Sequence, residues 1–192
     1  MKKEDIITLP NEHLRTKSAK VHIVTDNTRT LIDDMTAAAL DWEDSRPHEI
    51  SAALAAVQID RMERVIIVRS DFDDKNTRDF TALINPEIVK FEGGTSKDYE
   101  GCLSVSKIYG KVPRYNKIRV KALDTEGNEV RFKAEGFLAR VIQHEIDHTN
   151  GIVFIDHIRD ETKAFYTLDD KGELQPLDYE NDIKDNAVIW EQ

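Results

Sequence analysis

The chain has 192 residues, 40% hydrophobic and 33% charged, a composition that fits one soluble globular domain with a sizeable core. Its net charge of −10 argues against direct nucleic-acid binding, which needs clustered Lys and Arg, although Lys107, Lys111, Arg114, Lys117, Arg119 and Lys121 lie close together. No apolar stretch approaches the roughly 20 residues that span a bilayer, and Met1-Lys2-Lys3-Glu4-Asp5 is followed by no apolar run or cleavage site, so neither membrane insertion nor secretion is expected. The lone cysteine, Cys102, excludes an intramolecular disulfide and points to a reducing, cytoplasmic setting.

The first helix is expected over 27–41, capped by Asn27 or Thr28, with Leu31, Ile32, Met35, Ala38 and Ala39 in one apolar stripe. Ser45-Arg46-Pro47-His48 ends it. The small apolar stretch Ser51 to Val57 reads equally as a buried strand or a tightly packed loop. Strands follow at 64–69 and 80–84, joined by the acidic loop Asp71 to Asp79, and Asn85-Pro86 ends the second. Another strand at 87–92 leads to a turn at Gly93-Gly94. Residues 117–123 and 130–134, around Asp124-Thr125-Glu126-Gly127, form a hairpin. The second helix runs from Gly136 to Thr149 and stops at Asn150-Gly151. From Asp169 the chain turns acidic, ending in the apolar Ala187-Val188-Ile189-Trp190. The pattern is α+β: antiparallel strands in hairpins with helices near the start and the end, residues 1–168 as a single domain and 169–192 as an acidic C-terminal extension.

His144-Glu145-Ile146-Asp147-His148 carries the chemistry. Residues four apart share a helix face, so two imidazoles can bind one divalent cation while Glu145, one step round, takes a proton from water. A catalytic site needs a third ligand. A downstream Glu161 or Glu173 would make an ordinary zinc peptidase, but neither sits in a motif. The alternative is Cys102 in Glu100-Gly101-Cys102-Leu103-Ser104, whose thiolate suits Zn²⁺ or Fe²⁺.

Glu-Gly-Cys-Leu-Ser followed downstream by Gln-His-Glu-x-Asp-His resembles the peptide deformylases. Leu9-Pro10-Asn11-Glu12-His13-Leu14-Arg15, Leu83-Ile84-Asn85-Pro86, Val112-Pro113-Arg114 and Ala122-Leu123-Asp124 extend the likeness from about Ile6 to about Asp156. A third motif, Gly-x-Gly-x-Ala-Ala-x-Gln, reads here Ser51-Ala52-Ala53-Leu54-Ala55-Ala56-Val57-Gln58. Both glycines are replaced, and a Cβ at either position would narrow the approach of a bound peptide.

The resemblance implies hydrolysis of the N-terminal formyl group of formylmethionyl peptides, releasing formate. Cys102, His144 and His148 would hold one divalent metal, ferrous iron in the cell, with Zn²⁺ as the other candidate. Glu145 would act as general base and then acid. The Gln58 side-chain amide and the Leu103 backbone N–H would stabilise the oxyanion. Glu100 would brace one histidine, and Asp147 either pairs with Arg114 or faces solvent. Ala52, Phe137, Val141 and His144 would border an apolar pocket for methionine, with Arg140 turned to solvent or into that pocket. The expected partner is a formylated peptide. Ribosome anchoring through the acidic tail is disfavoured, since relatives that anchor there use a basic helix. The alternative reading, driven by Ser51 and Ala53, is a deformylase-like protein with altered specificity or only a binding role.

Overall fold

The computed structural model describes residues 1–46 and 49–190; of the break expected at Ser45-Arg46-Pro47-His48, Pro47 and His48 lie outside the described residues, and the first helix has ended by Ser45. The first helix, α1 (Asp26–Asp44), starts earlier than the sequence suggests, with Thr25 in the capping position and its backbone N–H donating to Thr28 Oγ1 at 3.2 Å. Leu31, Met35, Ala38 and Ala39 are buried as the stripe predicts. Truncating Met35, which is fully buried, to Ala would cost about 2–5 kcal/mol.

Both readings of residues 51–57 are realised in part. Strand β1 (Ala53–Ala55) passes into a single 3-10 turn, Ala56–Ile59, that carries Gln58. Strand β2 (Val65–Arg69) pairs antiparallel with β1 and is buried throughout, because both of its faces are covered. Ile66 and Val68 face the core shared with the second helix, whereas Val65 and Ile67 face α1.

The two strands expected at 80–84 and 87–92 are one. β3 (Phe80–Cys102) is continuous for 23 residues, pairing with β2 over Phe80–Ile84 and with β4 (Val105–Leu123) from Ile84 to Cys102. The features read as a break and a turn are register shifts. Asn85 takes a positive φ of 53° at the first, between Ile84 and Glu87, while its side chain holds Val21 through both N–H and C=O. Gly93 and Gly94, at φ 77° and 68°, make the shift between Glu92 and Thr95. Residues such as Ser96, Lys97 and Asp98 are exposed, so this outer stretch has no apolar alternation to betray it.

β5 (Glu129–Glu135) completes the expected hairpin with β4. It leads directly into α2 (Gly136–Thr149), whose limits match the sequence reading. β6 (Phe165–Leu168) pairs with β4 and with β7 (Leu174–Pro176), giving a sheet ordered β1-β2-β3-β4-β6-β7 with β5 also on β4. The boundary drawn at Asp169 falls in the β6–β7 turn. Beyond β7, Ile183 and Ile189 enter the same buried cluster as Leu14, Phe154 and Phe165. The short α3 (Ala187–Trp190) is tied down by Arg15 Nη2 donating to the Ile189 carbonyl at 3.1 Å and by Trp190 Nε1 donating to that of Ile183 at 2.6 Å.

Two side-chain contacts, of a glutamine and an arginine, fix α2, one at its middle and one at its C-terminus. The Gln143 side chain substitutes for a neighbouring strand, donating to the Tyr115 carbonyl at 2.9 Å and accepting the Tyr115 N–H at 3.1 Å. At the C-terminus, Arg64 Nη1 donates to Asn150 Oδ1 at 2.8 Å and to the Thr149 carbonyl at 3.3 Å. The basic cluster seen in sequence is largely neutralised: Arg114, Lys117, Arg119 and Lys121 pair with Glu100, Glu135, Glu92 and Glu129. No helix among the described residues is long and apolar enough to cross a membrane.

Candidate active site

Three elements meet at the cleft. The end of β3 supplies Cys102, α2 supplies His144, Glu145 and His148, and the turn after β1 supplies Gln58. The Cys102 sulfur and one ring nitrogen from each histidine all lie within 4.8 Å of one another, with Sγ 3.2 Å from His148 Nε2. The alternative third ligands are elsewhere: Glu161 is paired with Lys97 at the surface, and Glu173 lies exposed in the β6–β7 turn. Gly101 has no room for a side chain, since a Cβ there would sit 2.6 Å from the Tyr109 ring.

The donor set suits one divalent cation. A soft sulfur and two imidazoles are the ligand types that zinc and ferrous iron accept. The two imidazoles sit in different electrostatic surroundings. Burial opposes charge on His144, but Cys102 and Glu100 beside it outweigh burial and raise its pKa. Burial, reinforced by neighbouring His144, lowers that of His148. Two N–H groups point at the sulfur, from Ser104 at 3.4 Å and from Gln58 Nε2 at 3.6 Å. Glu145 is buried with Oε2 unpartnered among the described residues, and its pKa is pushed up to about 7, chiefly by burial. A carboxyl so poised can both take and give a proton near neutral pH.

Around this centre Glu100 makes the contact anticipated for it, to His144 Nδ1 at 2.9 Å. Asp147 pairs with Arg114 and also with His157 Nε2 at 2.7 Å. Arg140 does not turn to solvent: it is buried, donating to Glu100 Oε1 at 2.7 Å and to the carbonyls of Val112 and Ser96 at 2.8 and 2.9 Å, and it also lines the cleft pocket. His148 Nδ1, by contrast, is buried with no partner among the described residues. Gln58 is held by its own Oε1, which accepts the Ala55 N–H at 2.9 Å, while Nε2 donates to Ser104 Oγ at 3.1 Å. Leu103 lines the cleft beside Ala52, Ala53, Phe137 and Val141.

Sequence reasoning missed a second buried ion pair, Arg69 Nη1 to Glu43 Oε2 at 2.7 Å, both side chains fully inaccessible. Glu43 Oε2 also accepts the Ser51 N–H at 2.9 Å, which fixes the strand entering the cleft wall. An Arg ending an apolar strand and a Glu inside an amphipathic helix are the only traces of it in the sequence.

A single cation site of one thiol and two imidazoles, flanked by a buried glutamate at the mouth of a cleft, defines a mononuclear metallohydrolase. Residues 3–164 match the polypeptide deformylase family. The peptide deformylase of Brachyspira hyodysenteriae is 43% identical over 161 residues, covering 83% of this chain and 82% of that protein. That of Thermomicrobium roseum is 41% identical, covering 88% and 93%. Among solved structures, a Synechococcus elongatus peptide deformylase in complex with actinonin superposes with a TM-score of 0.73 at 30% identity, covering 81% of this chain and 80% of that one. An Acinetobacter baumannii enzyme bound to Met-Ala-Ser gives 0.70 at 32% identity, covering 80% and 96%. The chain belongs to the peptide deformylase family. It is a hydrolase that removes the N-terminal formyl group from nascent peptides.

Proposed function

We propose that Cys102, His144 and His148 hold the metal and that Glu145 moves the proton in this reaction. The observation that carries the reading is the convergence of the three ligand atoms within 4.8 Å beside a buried, unpartnered carboxylate oxygen. When bound, the divalent cation supplies Lewis acidity, polarising the formyl carbonyl and making water acidic enough to be deprotonated. Glu145 takes that proton as the water attacks, then delivers it to the departing nitrogen, so that formate and a free amine leave. Gln58 Nε2 and the Leu103 backbone N–H face the developing oxyanion, and each such donor contributes about 3 kcal/mol.

Ferrous iron is the physiological cation on this reading, with Zn²⁺ able to occupy the same ligands. The pocket bounded by Ala52, Phe137, Val141 and His144 takes the methionine side chain of the formylated peptide. Residues 1–168 carry the chemistry, the enzyme works in the cytoplasm, and neither nucleic acid nor the ribosome is engaged through the acidic segment after Asp169. Formate release from a formyl-Met peptide by the metal-loaded protein, compared with Glu145→Gln, tests the assignment. A variant that keeps both its metal and its turnover would refute the role of Glu145.

A further inference from the structure

Phe137 stands on the first turn of α2 with half of its surface exposed, and lines the cleft. A ring so placed can rotate unless something holds it. The Phe72 ring packs against it at a right angle, with ring centroids 4.9 Å apart. Phe72 comes from the loop 71–79, far from the cleft motifs in sequence. Phe72 also borders a second, mainly apolar cavity of about 390 Å³, open to solvent and lined further by Val130, Phe132, Leu138 and Ile142; the cleft pocket measures about 200 Å³. Phe72 therefore touches Phe137 of the cleft wall and lines a second, open space larger than the cleft pocket.

The loop is fixed rather than merely adjacent. Arg69 Nε donates to the Asp71 carbonyl at 3.1 Å and Nη2 to that of Lys75 at 2.9 Å. The same guanidinium is paired with Glu43, which holds the Ser51 N–H and thereby the strand that places Ala52 and Ala53 in the cleft. One buried ion pair thus locates both the loop bearing Phe72 and another wall of the same pocket.

We propose that Phe72 is a positioning residue that holds Phe137 across the methionine pocket, and so sets which first side chain the enzyme accepts. The inference rests on the assignment of that pocket to methionine. With Phe72 in place the Phe137 ring closes the pocket at a depth that an unbranched side chain fills. Without it the ring can swing toward the second cavity. The pocket then deepens, methionine loses contacts, and a bulkier aromatic side chain gains room.

The test is steady-state formate release from formyl-Met-Ala-Ser and formyl-Phe-Ala-Ser by wild type, Phe72→Ala, Phe72→Leu and Phe137→Ala, with melting curves for each. Phe72→Ala is expected to raise KM for the methionyl peptide about tenfold with little change in kcat, and to narrow the Met/Phe ratio of kcat/KM about tenfold or more. Phe72→Leu, which keeps apolar bulk, should give a smaller narrowing, and it carries the test if Phe72→Ala melts below assay temperature. An unchanged ratio in both Phe72 variants while Phe137→Ala shifts it overturns the role of Phe72 alone. An unchanged ratio in all three overturns the pocket assignment as well. A parallel fall in kcat on both peptides, together with a lowered melting point, reduces Phe72 to a structural residue and overturns the proposal.

Discussion

Glu100 Oε2 accepts the hydrogen bond of His144 Nδ1 at 2.9 Å while its other oxygen receives Arg140 Nη1 at 2.7 Å and Arg114 Nε at 2.9 Å. Burial alone would push this carboxyl up, yet hydrogen bonds from His144 and Arg114 outweigh it and hold the pKa well below the usual carboxylate range. The ionised carboxylate fixes the imidazole so that Nε2 is left facing the Cys102 side of the cleft. Two buried guanidiniums depend on that same charge.

Replacing Glu100 with Ala should therefore damage fold and site together. Arg140 would lose its carboxylate and Arg114 would keep only Asp147, which is expected to cost about 3–5 kcal/mol of stability, measurable by urea unfolding. Loss of the brace on His144 should weaken metal binding about 10–100-fold in competition with a chelator. A variant as stable as wild type would show that the charges of Arg114 and Arg140 are satisfied elsewhere.

Gln58 is aimed by the Ala55 N–H and by Ser104 Oγ, so its amide is set before substrate arrives. Gln58→Ala is expected to lower kcat about 10²–10³-fold while KM moves little, the pattern of a contact made mainly in the transition state. A change confined to KM would assign Gln58 to substrate binding instead.

Ser51 and Ala53 replace residues that the family motif has as glycine, yet neither takes a positive φ. Ser51 is fully buried and does not line the cleft, whereas Ala53 does. Ser51→Gly should leave turnover of formyl-Met peptides within about twofold of wild type and lower stability by about 1 kcal/mol through the entropy of the unfolded chain. If Ser51→Gly or Ala53→Gly instead raised turnover strongly, the reading of altered specificity would gain the support it lacks.

His13 offers a titration remote from the metal ligands. Its Nδ1 contacts Asp60, and the hydrogen bond and charge of that carboxylate raise the imidazole pKa. A raised folded-state pKa means that this contact stabilises fully below about pH 6.5 and ceases to do so as pH climbs through the folded value. In NMR titrations the His13 ring should change charge at a higher pH in wild type than in Asp60→Asn. Identical curves in the two proteins would dismiss the pair.

The parts legible in sequence were those with local periodicity or a dense motif. α1 and α2 announce themselves by apolar stripes, and His144, Glu145 and His148 by their spacing on one helix face. The 23-residue β3 was illegible because Asn85 and the two glycines, which usually end strands, here absorb register shifts within one. Arg140 and Arg114 on Glu100, and Arg69 on Glu43, join residues far apart in the chain, and no spacing rule links an arginine to a distant carboxylate. Asp147 had two equal readings, and the ion pair with Arg114 is the one formed. The engagement of His157 with Asp147 had no motif to announce it.

The most direct measurement is metal content and formate release determined on the same anaerobically purified samples of wild type and Glu145→Gln. The account predicts one divalent metal per chain in both, and turnover of a formyl-Met peptide lower in the variant by about 10²–10⁴-fold. Undiminished formate release from metal-loaded Glu145→Gln, or full activity in wild-type protein stripped of metal, would contradict it.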